Sequence, residues 1–356
     1  MNEKISVLIV DDSAFMRKSL SIMLESDPSI TVISTAKNGQ EGYDLAKKLR
    51  PDIITLDIEM PVMDGLTALK KIMSDCPTSV LMVSSLTTEG AKDTIKALEL
   101  GAIDFIPKEL SYVSVNISKI KDDLVQKVKE IARQKSLKER FKRLKSLNSN
   151  FTSDKKSTVI QKDLPVKVFK AIALGISTGG PLTLQKILPL LSEKINIPIL
   201  IVQHMPPKFT KSLAERLNSL CKLEVKEAEN EESLKPGVIY IAPGGFHMKL
   251  EKVGLHDIQI NIATEPADSL HRPSVDVMMN SVIDIFGKYT LGIIMTGMGK
   301  DGFEAVKKLK GIGGYCIAQN EETCVVYGMP KTIVDADLAD LVLPADKIPE
   351  TINRII

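Results

Sequence analysis

The chain contains no tryptophan, and aromatic residues make up only 4% of it. Cysteine is also sparse, with four in 356 residues: Cys76, Cys221, Cys316 and Cys324. They form no C-x-x-C pair and stand at no spacing to the four histidines that would hold zinc. Cys76 and Cys316 lie in or beside apolar runs, where reduced buried thiols are common. An excess of one charge is missing too, with 47 Lys and Arg against 45 Asp and Glu. Such a balance gives no general attraction for nucleic acid or a lipid surface. Apolar runs stop well short of the ~18 residues of a membrane span. No signal peptide opens the sequence. These absences predict a soluble cytoplasmic protein with no nucleic-acid partner and no direct membrane insertion. The length suits two or three domains with full cores.

What is present first is an alternation. Ser6 to Val10 is an apolar run that stops at Asp11-Asp12, and Phe15, Met16, Leu20, Met23 and Leu24 then share a helical face. Further runs are Thr31 to Thr35, Ile53 to Leu56 ending at Asp57, and Val80 to Val83 ending at Ser84-Ser85. Phe105-Ile106, ending near Lys108, is the last. Strands alternating with helices predict a parallel, doubly wound sheet, whose ligands collect at the carboxyl ends of its strands. Asp11, Asp12 and Asp57 converging there would repel one another without a cation. Hard oxygen ligands of this kind suit Mg²⁺ bridging to a phosphoryl group. Lys108 and Ser84 stand at neighbouring strand ends, where an ammonium and a hydroxyl meet phosphoryl oxygens.

Ile117, Ile120, Leu124, Val128 and Ile131 recur at helical spacing and continue the last helix of that domain. A basic stretch from Arg133 to Lys145 and a polar one from Ser146 to Lys162 follow. Residues 124–165 therefore read as a mobile linker between a domain at 1–123 and another at 166–356. The basic run reads as a solvated helix face in preference to a nucleic-acid arm.

The second domain repeats the alternation in Val168 to Ile176, Ile197 to Val202, Val238 to Ala242, Leu291 to Met295 and Tyr315 to Ala318. The first run enters Gly175-Ile176-Ser177-Thr178-Gly179-Gly180, and a helical pattern opening with Pro181 leaves it. The stretch matches the G-x-S-x-G elbow, in which a serine is exposed at a strand-to-helix turn beside unpaired N–H groups. A phosphate-binding turn and a simple helix cap are the alternatives. A serine hydroxyl needs a base, and the base needs a group to fix its tautomer. His204 and Asp301 each follow a different strand and are the candidates. His247, His271 and His256 are rival bases, and Asp276 is a rival orienter. The order Ser-His-Asp differs from the Ser-Asp-His of the α/β-hydrolases.

The runs DDSAFMRK, LDIEMPVMDG, MVSSLT and GAIDFIPK together resemble the receiver domain of two-component response regulators. GISTGG, QHMPPKFTKSLAERL, IAPGGFHM, HRPSVDVM and MTGMGKDG resemble, in order, the chemotaxis methylesterase domain of the CheB family. The resemblance implies two doubly wound α/β domains: a flavodoxin-like N-terminal receiver and a C-terminal parallel-sheet methylesterase domain. It implies phosphorylation of Asp57 by a chemotaxis histidine kinase, with Mg²⁺ held by Asp11, Asp12 and Asp57. Ser84, Phe105 and Lys108 become the switch hydroxyl, rotating aromatic and phosphate partner. Receivers usually place proline directly after that lysine, whereas here Pro107 precedes it and Glu109 follows. Ser177 becomes nucleophile, His204 base and Asp301 orienter. A backbone N–H at Met298 helps hold the oxyanion, and Thr178 is a near-site hydroxyl. The implied substrates are methylated glutamates, and for many members glutamines, of methyl-accepting chemotaxis receptors. No cofactor is implied for the ester chemistry.

Overall fold

The computed structural model describes residues 4–108, 121–133, 168–254 and 257–356. The chain divides into two compact units, Met1–Leu147 and Asn148–Ile356.

In the first unit, β1 (Ile5–Val10), β2 (Ile30–Ala36), β3 (Ile53–Asp57), β4 (Ser79–Ser84) and β5 (Asp104–Pro107) form one parallel sheet in the order β2-β1-β3-β4-β5. All five residues of β3 are buried, as a strand covered on both faces requires. Helices α1 (Ala14–Glu25), α2 (Gly39–Leu49), α3 (Gly65–Asp75) and α4 (Thr88–Glu99) connect the strands. Each opens on a side-chain cap, from Ser13, Asn38, Asp64 and Thr87 respectively. Such caps contribute about 1 kcal/mol each. Met16, Leu20, Met23 and Leu24 of α1 face the core, but Phe15, expected on the same face, is 42% exposed.

A fifth helix, α5, covers 121–133 and buries Leu124, Val128 and Ile131. Its Lys127 ammonium lies 3.2 Å from the Asp104 carboxylate and donates to the Phe105 carbonyl at 3.3 Å. Helical structure fastened to β5 thus runs past position 123, where the linker was expected to begin. Ile117, Ile120 and Glu109 lie outside the described residues, as does the expected linker beyond 133.

In the second unit, seven strands form a parallel sheet in the order β15-β14-β13-β6-β7-β10-β8. They are β6 (Ala171–Ile176), β7 (Ile199–Gln203), β8 (Glu224–Glu227), β10 (Val238–Ile241), β13 (Thr290–Ile294), β14 (Tyr315–Gln319) and β15 (Leu341–Leu343). A smaller antiparallel sheet joins β9 (Glu232–Ser233), β11 (His247–Val253) and β12 (Asp257–Ala263). The five apolar runs read from the sequence are β6, β7, β10, β13 and β14. The charged edge strand β8, the short β9 and β15, and the β11–β12 hairpin carry no comparable run.

Helices α6 (Gly180–Ile187), α7 (Phe209–Leu220), α8 (Val275–Phe286), α9 (Phe303–Gly311), α10 (Met329–Asp335) and α11 (Lys347–Ile355) complete the unit. Met278, Met279, Val282 and Ile283 of α8 join Ala171 and Ala173 of β6 in one core cluster. Strand order reverses at β6, with β7 on one side and β13 on the other. Such a reversal leaves a crevice at the carboxyl edge of the sheet.

Candidate active site

The crevice is built by register. Ile176 on β6 pairs with Gln203 on β7, and Gly175 pairs with Ile294 on β13. Ser177 and His204, the residues that follow, therefore leave neighbouring strands at the same level. His204 N–H donates to the Ile176 carbonyl at 3.2 Å, and Ser177 N–H to the Thr296 carbonyl at 2.9 Å. The turn after Ser177 closes when Gly180 N–H donates back to the Ser177 carbonyl at 2.7 Å. Gly179 takes a left-handed φ of 75°, and a Cβ there would also lie 2.4 Å from Val325. Glycine answers both demands. Pro181 sits in the first turn of α6. The strand–turn–helix form of the serine elbow is present.

His204 Nε2 lies 2.8 Å from Asp301 Oδ2, with only about a tenth of either side chain exposed. The same carboxylate accepts from Ser274 Oγ at 2.9 Å, Val275 N–H at 2.7 Å and Asp276 N–H at 3.0 Å. Asp301 thus caps the N-terminus of α8 from outside that helix. Burial alone would raise its carboxyl pKa. The His204 ring and the two α8 N–H groups outweigh burial and hold it below the ordinary carboxylate value. Asp301 is an anion, so the proton between the pair belongs to His204 Nε2 and the ring's lone pair is on Nδ1. That nitrogen is buried and makes no hydrogen bond among the described residues. Neither does the Ser177 hydroxyl. Neither group is engaged with a partner among the described residues, as is common before substrate tightens a site.

Two of the rival residues, His247 and Asp276, are engaged elsewhere. His247 is fully buried, accepts from Ser274 N–H on Nδ1 at 3.3 Å, and has Nε2 3.3 Å from the Pro266 carbonyl. Burial lowers its pKa, which keeps the ring neutral. Asp276 accepts from Ala305 N–H at 2.8 Å and so caps α9. His271 stacks on His204 with ring centroids 4.2 Å apart. His256 lies outside the described residues. Thr178 is buried with its hydroxyl unpartnered. The N–H groups of Thr178 and Met298 donate to no acceptor among the described residues, which leaves two backbone donors at this edge.

Ser274 begins α8, as the run Ser274-Val275-Asp276 suggests, but its bond to Asp301 and the role of Gly297 were not read from the sequence. A Cβ on Gly297 would lie 2.8 Å from Ser177 Cβ and 2.4 Å from Met329 Sδ. The glycine of the T-G-M-G run was the available signal for so close an approach.

In the first unit, Asp11, Asp12 and Asp57 place one carboxylate oxygen each within 4.8 Å of one another. Lys108 Nζ stands 2.6 Å from Asp57 Oδ2 and 3.3 Å from Asp11 Oδ2, with Pro107 ahead of it in β5. Burial pushes the Asp57 carboxyl up to about 6 against the opposing pull of Lys108, and it raises Asp11 as well. Clustered hard oxygen donors, two buried and Asp12 exposed, with three carboxylates to one lysine, fit Mg²⁺. The Ser84 hydroxyl is turned away from the carboxylates, 3.2 Å from the Gly90 carbonyl and 2.7 Å from Thr94 Oγ1. Phe105 is buried.

Comparison with known proteins follows these two units. Residues 172–352 match the CheB methylesterase family and residues 7–115 match the response regulator receiver domain. The protein-glutamate methylesterase/protein-glutamine glutaminase 2 of Nitratidesulfovibrio vulgaris is 48% identical, over 98% of both chains. An Oleidesulfovibrio alaskensis protein, named protein-glutamate methylesterase/protein-glutamine glutaminase 1, is 47% identical over 99% of both. The crystal structure of the Thermotoga maritima CheB methylesterase catalytic domain aligns with a TM-score of 0.51 at 45% identity. It covers 53% of this chain and 100% of that one. With its phosphoacceptor fold in front and its serine elbow behind, the chain belongs to the CheB methylesterase family of response regulators.

Proposed function

We propose that the protein hydrolyses methyl esters of glutamate side chains on the cytoplasmic helices of methyl-accepting chemotaxis receptors. It deamidates receptor glutamines at the same site, and phosphorylation of Asp57 raises its rate. The names of the full-length relatives support the substrate class. The observation that carries the mechanism is the 2.8 Å contact between His204 and an ionised Asp301, one strand from Ser177.

Ser177 Oγ attacks the ester carbonyl carbon while His204 Nδ1 takes the hydroxyl proton. Asp301 stabilises the imidazolium that forms. The tetrahedral oxyanion faces the N–H groups of Thr178 and Met298. Losing one such donor typically costs on the order of 10²–10³ in rate. Collapse of the tetrahedral species breaks the bond to the methoxy oxygen, which leaves as methanol with the proton from His204. Water then attacks the acyl-enzyme, His204 takes its proton and returns it to Ser177, and a glutamate is released. With glutamine the first leaving group is ammonia.

In the first unit, Asp57 accepts a phosphoryl group from a chemotaxis histidine kinase. Asp11, Asp12 and Asp57 would hold Mg²⁺, which would neutralise phosphoryl charge. Lys108 pairs with one phosphoryl oxygen. The Ser84 hydroxyl leaves Gly90 for another, and the side chain of Phe105 follows. This reading places the protein in the cytoplasm.

The test is methanol release from methylated receptor membranes, with and without a small phosphodonor. Ser177→Ala abolishes release while Asp57 still becomes phosphorylated. Release retained in that variant refutes the reading.

A further inference from the structure

Gln203 ends β7, after the apolar run Ile199 to Val202. It is 1% exposed, an unusual place for a carboxamide. Its Nε2 donates to the Ser177 carbonyl at 3.0 Å and to the His204 carbonyl at 3.2 Å. Both contacts are to carbonyl oxygens, so the amide can only be oriented with its NH₂ toward them. Its Oε1 is buried with no donor. That oxygen lies 1.9 Å from where a Cβ on Gly180 would stand, which explains a glycine at the first position of α6.

We propose that Gln203 is a positioning residue: one buried amide ties the backbone of the nucleophile turn to the backbone of the base loop. The proposal rests on Ser177 and His204 being the nucleophile and base. Ser177 and His204 leave different strands, and their own side chains make no bond to each other in this state. The last cross-strand bond runs from His204 N–H to the Ile176 carbonyl at 3.2 Å, and strand register stops at Ile176 and Gln203. The amide adds a connection one residue further, to the Ser177 carbonyl. An apolar side chain would remove the orphaned Oε1, but it would also take the donor from the His204 carbonyl. What it cannot do is hold two carbonyls at once.

The experiment uses the full chain and methanol release from methylated receptor membranes, with thermal unfolding alongside. Gln203→Leu lowers kcat by ~10–100-fold with KM unchanged, as displacements of about an ångström at a reacting centre do. Gln203→Glu sets a carboxylate against two carbonyls. Its activity gains a new pH dependence and rises as acid protonates the side chain, which then donates one O–H. Gly180→Ala pushes the amide without altering it and gives the same loss confined to kcat. This variant and the glutamate keep the test open should the leucine variant fold poorly. Wild-type kcat in Gln203→Leu overturns the proposal. So do losses matched by KM and thermal stability, or a Gln203→Glu profile parallel to wild type. Methanol release retained in Ser177→Ala overturns the nucleophile assignment beneath it instead.

Discussion

Asp301 Oδ2 lies 2.8 Å from His204 Nε2, and the other bonds of that carboxylate decide which way the histidine works. Ser274 Oγ and the N–H groups of Val275 and Asp276 all donate to it. With those donors on it the carboxylate accepts, so the histidine donates from Nε2 and the proposed base is Nδ1. The helix end that Asp301 caps and the imidazole it orients are thereby one arrangement.

Replacing Asp301 by asparagine removes the anion and presents an NH₂ where an acceptor is needed. The expected result is a fall in kcat on the order of 10³–10⁴, the size seen when a triad carboxylate is lost, with KM little changed. Steady-state methanol release checks this, and a loss under about tenfold contradicts the orienting role.

Acid destabilises the fold in two pH windows. Burial holds the His247 pKa below 6.5, so above 6.5 both folded and unfolded chains keep it neutral and its contribution is complete. As pH falls from 6.5 through the lowered folded value, the unfolded chain binds a proton first and stability is lost. Asp301 is lowered from 3.8, so its contribution persists above 3.8 and disappears as acid approaches the folded value. In His247→Gln the slope of the thermal midpoint against pH just below 6.5 flattens, while the drop below 3.8 remains.

Gly297→Ala places a methyl group 2.8 Å from Ser177 Cβ and 2.4 Å from Met329 Sδ. The nucleophile has to move. About a 10²-fold loss in kcat follows from a shift of roughly an ångström, with phosphorylation of Asp57 unaffected. Parallel assays of methanol release and acid-labile phosphate separate the two.

The strands that carry chemistry were legible because each is a buried apolar run ending in polar residues. Asp11, Asp57, Ser177 and His204 stand at such ends, and the doubly wound sheets follow from the alternation. What escaped reading depends on contacts between distant residues. Ser274 reaches Asp301 across 27 positions, and Gln203 reaches back 26 to Ser177. Neither pairing leaves a local pattern. β8 is charged and half-covered at a sheet edge, so periodicity passes over it. Ser84 was placed by its strand end but its hydroxyl was not, because a rotamer is set by Gly90 and Thr94 on α4. Phe15 fell on the right helical stripe yet points outward, since a stripe fixes the core face only to within its margins.

Asp57→Asn removes the carboxylate proposed to accept the phosphoryl group, which Lys108 approaches at 2.6 Å. With acetyl phosphate and Mg²⁺ the variant acquires no acid-labile phosphate, and its methanol release stays at the unphosphorylated level. Activation by the phosphodonor in this variant contradicts the assigned acceptor.

The central claim is that His204 makes Ser177 a nucleophile. A serine-directed fluorophosphonate, followed by peptide mass spectrometry, reads this without a receptor. One adduct is expected on the peptide containing Ser177 in the wild-type chain, formed at least ~10²-fold more slowly in His204→Ala. An adduct elsewhere with Ser177 unlabelled, or labelling equally fast without the imidazole, contradicts it.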